Sequence, residues 1–260
     1  DRCVAYAVEQ GVNYFDVAPT YGDAQQKLGR SLVPYRDRVY LACKTAQRRR
    51  REAEEDLRRS MELLHTDHFD VYQLHGLSTD EDVDVAFGPG GAAELLRDLR
   101  EQGIARRIGV TAHNERVALR ALSLCDFDTV LFPFNWHMHM AHDMGSRLLA
   151  AARERGMGVL CMKSMIERAW DRDERQTSRY PKSWCKPFDT ETDARLLLAA
   201  VRYAASLGVD VIIPPGNFEH FSFAVEHGRE IFDTPLTDED RALLAERLDR
   251  VRDRPFFAVP

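Results

Sequence analysis

The chain has 260 residues, of which 44% are hydrophobic and 30% are charged, which is the balance of a globular protein and excludes disordered and collagen-like classes. Its 36 basic and 42 acidic residues give a net charge of −6, so no basic field is present to bind nucleic acid or an anionic membrane surface. This length is typical of one large α/β domain, and we expect a single domain over residues 1–260 that acts on a small molecule.

Short β-branched or aromatic runs alternate along the chain with longer segments of helical periodicity. Seven of these runs are predicted strands, at residues 13–17, 38–43, 69–74, 108–111, 129–132, 158–162 and 209–213. Helices are predicted between them, at residues 24–32, 52–64, 92–101, 115–124, 146–155 and 193–207. A capped terminal helix is predicted at about residues 237–252.

This alternation predicts parallel β-α units, and strands that are apolar nearly throughout predict burial on both faces of the sheet. An open dinucleotide-binding sheet normally carries G-x-G-x-x-G after its first strand, and that motif does not occur here. We therefore predict an α/β fold, the (β/α)8 TIM barrel. A closed barrel needs eight strands, so its first strand is expected to lie upstream of Asp1 or to be absent from this chain.

The cysteines and the apolar runs favour a cytoplasmic protein. The five cysteines are scattered, with no C-x-x-C pair, and predict neither a disulfide framework nor a zinc knuckle. No apolar run approaches the length of a membrane span, and the first residues lack the layout of a signal peptide.

Three consecutive predicted strands end in titratable side chains. Asp16 and Tyr21 follow the first strand, Lys44 ends the second and His75 ends the third. Each has an ordinary structural explanation when taken alone, such as a helix cap, a stacked ring, a solvated lysine or a hydrogen-bonded histidine. Because barrel enzymes place their active sites at the carboxyl ends of the strands, the four together favour a catalytic group.

The motifs around these four residues resemble those of the aldo-keto reductase superfamily. FDVAPTYG is similar to the family's F-D-T-A-x-x-Y-G signature, VYLACKT to its lysine strand and DVYQLHG to its histidine strand. The segments IGVTAHN, PGGAAELL, YPKSWCKP and IIPPGN resemble a bacterial branch of the family. The resemblance covers essentially the whole chain, although the family's leading hairpin and first strand are missing.

The resemblance implies an enzyme that reduces an aldehyde or ketone to an alcohol, with hydride from NADP(H) or, as the alternative, NAD(H). Tyr21 is the implied general acid, and Lys44 is the cation that lowers the tyrosine pKa. Asp16 would keep Lys44 charged and fixed, while His75 would hydrogen-bond the substrate oxygen and orient its carbonyl.

The resemblance also implies a cofactor bound by the loops after the later strands, although the pattern departs from the family there. Thr111-Ala112 replaces the usual Ser-Asn, Lys163-Ser164 replaces a stacking aromatic, and residues 215–223 lack the lysine or arginine that many relatives place near the 2′-phosphate. The expected cofactor contacts are Thr111, Asn135, Lys163, Ser164, Pro214, Pro215, Gly216 and Asn217.

Two other functions remain open. A regulatory barrel that binds a nicotinamide cofactor without catalysis would share this fold. The H-x-H spacing of His137 and His139 would suit a metal-dependent barrel hydrolase, but these histidines crowd one loop without a separate carboxylate, and no metal ligands are predicted.

Two surface segments also carry predictions. The arginine run at residues 48–51 would sit at the barrel mouth, where it could attract anions. We interpret it as the solvated start of a helix, paired with acids four residues on, at Glu52, Glu54 and Glu55. Residues 165–190 form a long polar insertion that we expect to act as a lid over the substrate.

Overall fold

The computed structural model describes residues 2–257. The strands are β1 (Tyr14–Asp16), β2 (Tyr40–Thr45), β3 (Phe69–Leu77), β4 (Ala105–Ala112), β5 (Thr129–Phe132), β6 (Gly158–Met162), β7 (Ile166–Arg168), β8 (Lys186–Pro187) and β9 (Val211–Ile213). The α-helices are α1 (Arg2–Glu9), α2 (Ala24–Leu32), α3 (Arg50–Leu64), α4 (Asp80–Phe87), α5 (Ala92–Glu101), α6 (Glu115–Leu124), α7 (Trp136–His142), α8 (Ser146–Glu154), α9 (Glu174–Thr177), α10 (Ala194–Ser206), α11 (Phe218–Glu226), α12 (Gly228–Asp233) and α13 (Asp238–Val251). A 3-10 helix covers Val33–Arg38.

The seven predicted strands coincide with β1 to β6 and β9, with boundaries that differ by up to three residues. The longer predicted helices correspond to α2, α3, α5, α6, α8, α10 and α13. Several elements have no prediction, among them α4, α7, α9, α11, α12 and the β7-β8 pair. Most of them are short and lie in the connections, where hydrophobic periodicity gives little signal.

Contacts divide the chain into two compact units. The first holds the chain up to Leu131 together with Ala151–Met157, and the second holds Phe132–Ala150 and the chain from Gly158 onward. In the part of the chain that the structure describes, no helix is both long and apolar enough to cross a membrane.

The first unit contains parallel strands in the order β1-β2-β3-β4-β5. The register places Asp16 beside Ala42 and Lys44 beside Gln73, so the ends of the first three strands are neighbours. Helix α3 contacts α2 and α5 and buries one face, whose residues Ala53, Leu57, Ser60 and Leu64 recur every three or four positions. Burial of one such leucine contributes about 1.5–3 kcal/mol, so this face fixes the helix against its neighbours.

The second unit contains β6 parallel to β9 and a separate antiparallel pair, β7 and β8. Its core includes buried residues of α10 and α13, among them Leu197, Val201, Leu244 and Leu248. Thr237 begins α13 with a capping box, as the sequence predicts for this terminal helix.

The long insertion after β6 is anchored to this core. Glu167 in β7 is 2% exposed and pairs with Arg247 of α13, and the Trp170 indole donates a hydrogen bond of 2.9 Å to the Ser183 carbonyl. The insertion is therefore an ordered hairpin with its own polar contacts. Its role as a lid over substrate stays a prediction.

Candidate active site

A buried ion pair joins the ends of the first two strands. The Lys44 ammonium in β2 forms the pair with the carboxylate of Asp16, the last residue of β1, and donates a second hydrogen bond of 3.3 Å to the Val17 carbonyl. The two side chains are only 0% and 6% exposed. Because charges are costly to bury singly, this pairing lets a lysine lie inside the sheet, and it holds the ammonium in one place.

Tyr21 and His75 lie beside this pair. The Lys44 nitrogen is 5.3 Å from the centre of the Tyr21 ring, and the rings of Tyr21 and His75 are perpendicular with centroids 5.6 Å apart. Tyr21 is 45% exposed, so its ring lies between the buried ion pair and the solvent. The structure thus brings together all four residues that the sequence predicts to be catalytic.

The pKa of Tyr21 lies above the usual phenol value. Burial raises the pKa more than Lys44 lowers it, and the Asp16 carboxylate adds to the increase. Lys44 therefore acts in the expected direction without deciding the net shift. The phenol is protonated near neutral pH, as a proton donor must be.

Gln73 belongs to the same network, and it is absent from the sequence-based predictions. Its side chain is fully buried, and its amide nitrogen donates a hydrogen bond of 3.3 Å to the Asp16 carboxylate. A polar residue in an apolar strand, two positions before His75, was the signal that could have identified it. Its side-chain oxygen is buried without a hydrogen-bond partner among residues 2–257.

Thr111 is the predicted cofactor residue of the first unit. Its side chain is buried, and its hydroxyl oxygen accepts a hydrogen bond of 2.6 Å from the Gly76 amide, next to His75. The hydroxyl hydrogen can still be donated elsewhere. A cofactor contact at Thr111 therefore stays a prediction.

Three predicted cofactor residues of the second unit lie together: Lys163 and Ser164 are in the turn after β6, and Asn135 hydrogen-bonds to that turn. The Asn135 amide nitrogen donates hydrogen bonds of 2.8 Å to the Lys163 and Ile166 carbonyls, and its oxygen accepts one from the His137 amide. Lys163 has a φ of 63°, in the left-handed region, and Ser164 is fully buried. Asn135 thus fixes the strained turn that carries the lysine.

The Lys163 side chain is largely buried and has a lowered pKa. Burial lowers the pKa of Lys163 to about 8, and its ammonium lies 4.9 Å from the centre of the Phe257 ring. The Ser164 hydroxyl is buried without a hydrogen-bond partner among residues 2–257. A cation held partly desolvated and an unsatisfied hydroxyl are both suited to an incoming anionic or polar ligand.

The remaining predicted residues, Pro214–Asn217, form the loop between β9 and α11. Asn217 caps the helix by accepting a hydrogen bond of 2.9 Å from the His220 amide, and open space surrounds the position where Gly216 would carry a side chain. A helix N-terminus with free space before it suits a phosphate group. The loop itself lacks a basic residue, but Arg179 reaches the first turn of α11, where it pairs with Glu219 at 3.1 Å.

The histidines that suggested a metal site have structural partners. His137 shares a hydrogen bond of 2.9 Å with the Glu167 carbonyl, and His139 lies between the Tyr203 hydroxyl at 2.8 Å and the Ser146 hydroxyl at 3.0 Å. Among residues 2–257, no three histidine, cysteine or acidic side chains are grouped so that they could hold a metal ion.

The arginines of residues 48–51 differ in their exposure and in their acidic partners. Arg50 and Arg51 pair with Glu54 and Glu55 at 2.8 Å and 3.6 Å, as predicted. The predicted solvated position is wrong for Arg48, whose guanidinium is mostly buried and pairs with Asp82 at 2.9 Å. Asp82 is distant in sequence, so the i to i+4 rule could not find this pair.

The chain resembles known proteins in sequence. It is 28% identical to the aldo-keto reductase YhdN of Bacillus subtilis over 143 residues, which cover 50% of this chain and 41% of that protein. The uncharacterized oxidoreductase YqkF of the same organism is 24% identical over 143 residues, which cover 50% of this chain and 45% of that protein. The matched segment thus spans somewhat under half the length of these relatives.

The fold resembles solved aldo-keto reductases. An aldo-keto reductase from Klebsiella pneumoniae in complex with NADPH matches with a TM-score of 0.69 and 20% identity, over 98% of this chain and 88% of that one. This likeness and the parallel strands alternating with helices confirm the predicted α/β fold of the (β/α)8 class. The Aldo/keto reductase family model matches residues 1–214, and the chain belongs to the aldo/keto reductase family.

Proposed function

We propose that this chain reduces an aldehyde or ketone to an alcohol, with a nicotinamide dinucleotide as the hydride donor. The observation that carries the proposal is the Asp16–Lys44 pair, buried next to the half-exposed ring of Tyr21. A carbonyl that gains hydride at carbon must also gain a proton at oxygen, and this arrangement is suited to supply it.

The proposed proton donor is the Tyr21 hydroxyl. As the O–H bond breaks, negative charge develops on the phenolate, and the nearby Lys44 ammonium stabilises that charge. Asp16 holds Lys44 in place, and Gln73 holds the other carboxylate oxygen of Asp16, so the cation does not have to move during the reaction. His75 is proposed to hydrogen-bond the carbonyl oxygen and to orient it toward Tyr21.

NADP(H) is the proposed cofactor, with NAD(H) as the alternative, and when bound it supplies the hydride. The Klebsiella pneumoniae relative was solved with NADPH, which supports this choice. Lys163, Ser164 and Pro214–Asn217 are proposed to contact the dinucleotide, together with Thr111. Asn135 is proposed to act by holding the Lys163 turn.

Reduction of a panel of aldehydes and ketones tests the proposal. NADPH oxidation should depend on both the protein and the carbonyl, and one alcohol should form for each NADPH consumed. The proposal is contradicted if NADPH binds, as followed by protein fluorescence, while no carbonyl is reduced. That result would favour the regulatory barrel that binds the cofactor without catalysis.

We also propose a cytoplasmic location and a small-molecule carbonyl as the only substrate class. All five cysteines are free thiols, which suits a reducing compartment. Fractionation of cells that produce the protein should recover it with cytoplasmic markers, and its recovery elsewhere would contradict this location.

A further inference from the structure

The guanidinium of Arg48 binds the carboxyl ends of two neighbouring strands at once. One terminal nitrogen donates hydrogen bonds of 3.0 Å to the Ala46 carbonyl and 2.9 Å to the His75 carbonyl, and the other donates one of 3.0 Å to the Gly76 carbonyl. The remaining nitrogen, Nε, donates to the Asp82 carboxylate at 2.9 Å. A planar fork with five hydrogens can make all these contacts together, whereas a lysine cannot.

The main chain at His75 is irregular. The pairing of β3 with β4 shifts register between Leu74 and Leu77, and Gly76 has a φ of 62°, in the left-handed region. In such an irregularity the regular ladder of hydrogen bonds is interrupted and a side chain is turned in a new direction. At this irregularity, Arg48 donates hydrogen bonds to the His75 and Gly76 carbonyls, and the Thr111 hydroxyl accepts one from the Gly76 amide.

Arg48 is itself held in place. Asp82 also accepts hydrogen bonds from the Ser78 amide and hydroxyl and from the Thr79 amide, so its carboxylate is fixed at the start of α4. The Arg48 side chain is 17% exposed, whereas the side chain of Arg51, in the same run, is 86% exposed. The two arginines can therefore be compared directly. Arg48 contacts the strand ends and Asp82, whereas Arg51 pairs with Glu55 at the exposed surface of α3.

The backbone around Arg48 has hydrogen bonds that do not involve its side chain. The Ala92 amide donates a hydrogen bond of 2.8 Å to the Arg48 carbonyl, and the Arg50 amide donates one of 2.9 Å to the Gly90 carbonyl. Truncation of the side chain should therefore leave this segment in place and release only the strand ends.

We propose that Arg48 is a positioning residue for His75, fixing the imidazole relative to Tyr21 by holding the main chain of residues 75–76. The inference rests on the proposed function, which gives His75 the contact with the carbonyl oxygen. Without the fork, residues 75–76 relax and the imidazole samples several orientations. The rate of carbonyl reduction should then fall while dinucleotide binding is unchanged.

The test compares Arg48→Met with the control Arg51→Met. Arg48→Met should lower kcat about tenfold, a small part of what positioned groups contribute, and leave the dinucleotide Kd unchanged. Arg51→Met should match the parent in both. In a His75→Leu background, which has no hydrogen-bond donor left to position, Arg48→Met should cost little more. Fully additive losses would overturn the inference.

A second readout does not require catalysis. The chain has nine histidines, and the His75 ring signal in an NMR spectrum of histidine-labelled protein is the one lost in His75→Gln. Arg48→Met should shift or broaden that signal, and Arg51→Met should not. An unchanged signal in Arg48→Met overturns the inference. A changed signal in a protein that reduces no carbonyl supports the inference and refutes only the proposed function.

Arg48→Lys keeps the test usable if Arg48→Met fails to fold. Lysine retains a positive charge for Asp82 but lacks the planar fork. It should disturb the His75 signal in the same direction, with thermal unfolding close to that of the parent. A His75 signal like that of the parent in a folded Arg48→Lys protein would contradict the proposal that the planar guanidinium of Arg48 positions His75.

Discussion

The strand ends of the first unit and the loops of the second unit differ in how their predicted residues are used. Asp16, Tyr21, Lys44 and His75 contact one another through their side chains. In the second unit, Asn135 and Asn217 use their side chains mainly to hold the local main chain. The first unit thus places titratable side chains in contact with one another at its strand ends, whereas these loop side chains of the second unit hold main-chain geometry.

Among the changes that leave Tyr21 in place, the largest effect is expected from Lys44→Met. Loss of the ammonium removes the cation that stabilises the phenolate of Tyr21, and kcat should fall roughly 10²- to 10³-fold, within the range for general acid catalysis. It also leaves Asp16 buried without its partner charge, which should lower the free energy of unfolding by about 3–5 kcal/mol. Steady-state kinetics and denaturant unfolding measure the two effects.

The double variant Asp16→Asn with Lys44→Met separates these effects. It removes both charges, so it should recover much of the lost stability without recovering activity. Recovery of activity along with stability would show that the pair is structural, and the contrast between the two units would then fail.

A smaller effect is expected from His75→Gln. Glutamine can still donate a hydrogen bond to a carbonyl oxygen, so kcat should fall roughly tenfold, with little change in the dinucleotide Kd. The matched change His75→Leu, which donates nothing, should cost more. Equal rates for the two variants would contradict a hydrogen-bonding role for His75.

The smallest effect concerns Lys163 and tests the second unit. Its pKa of about 8 means that the ammonium is charged near neutral pH and loses its proton as the pH rises through that value. Affinity for the anionic dinucleotide should therefore weaken as the pH rises, by at most roughly tenfold between about pH 7 and pH 9, because the charged fraction of a group with this pKa falls about tenfold over that range. Fluorescence titration at the two pH values measures it.

Lys163→Met is the control for this pH dependence. It should bind the dinucleotide weakly at both pH values. An affinity of the parent that does not change with pH, or a variant that keeps the parent's pH dependence, would remove Lys163 from the cofactor contacts.

The strand ends were predictable from the sequence for a physical reason. Alternating apolar runs mark where buried strands stop, and neighbouring parallel strands bring their ends together, so the spacing of these runs is enough to group Asp16, Lys44 and His75. Tyr21 was grouped with them because it follows the first strand closely, but its role as general acid was implied only by the family motif.

Other contacts were beyond sequence reasoning because they depend on tertiary packing. Arg48 lies in a run of four arginines, and only the fold reveals that its neighbour is Asp82 rather than Glu52. Gln73 reaches Asp16 across 57 positions of the chain. The net pKa of Tyr21 depends on how far burial offsets Lys44, which no spacing rule provides.

The most direct test of the account is the single-turnover reduction of an aldehyde by Tyr21→Phe with NADPH bound in advance. The change removes one hydroxyl and keeps the ring, so the dinucleotide Kd and the unfolding temperature should match the parent. The rate of the chemical step, identified by its isotope effect with deuterated NADPH, should fall about 10²- to 10⁴-fold. A Tyr21→Phe protein that reduces the aldehyde as fast as the parent, with the same isotope effect, would show that Tyr21 is not the proton donor.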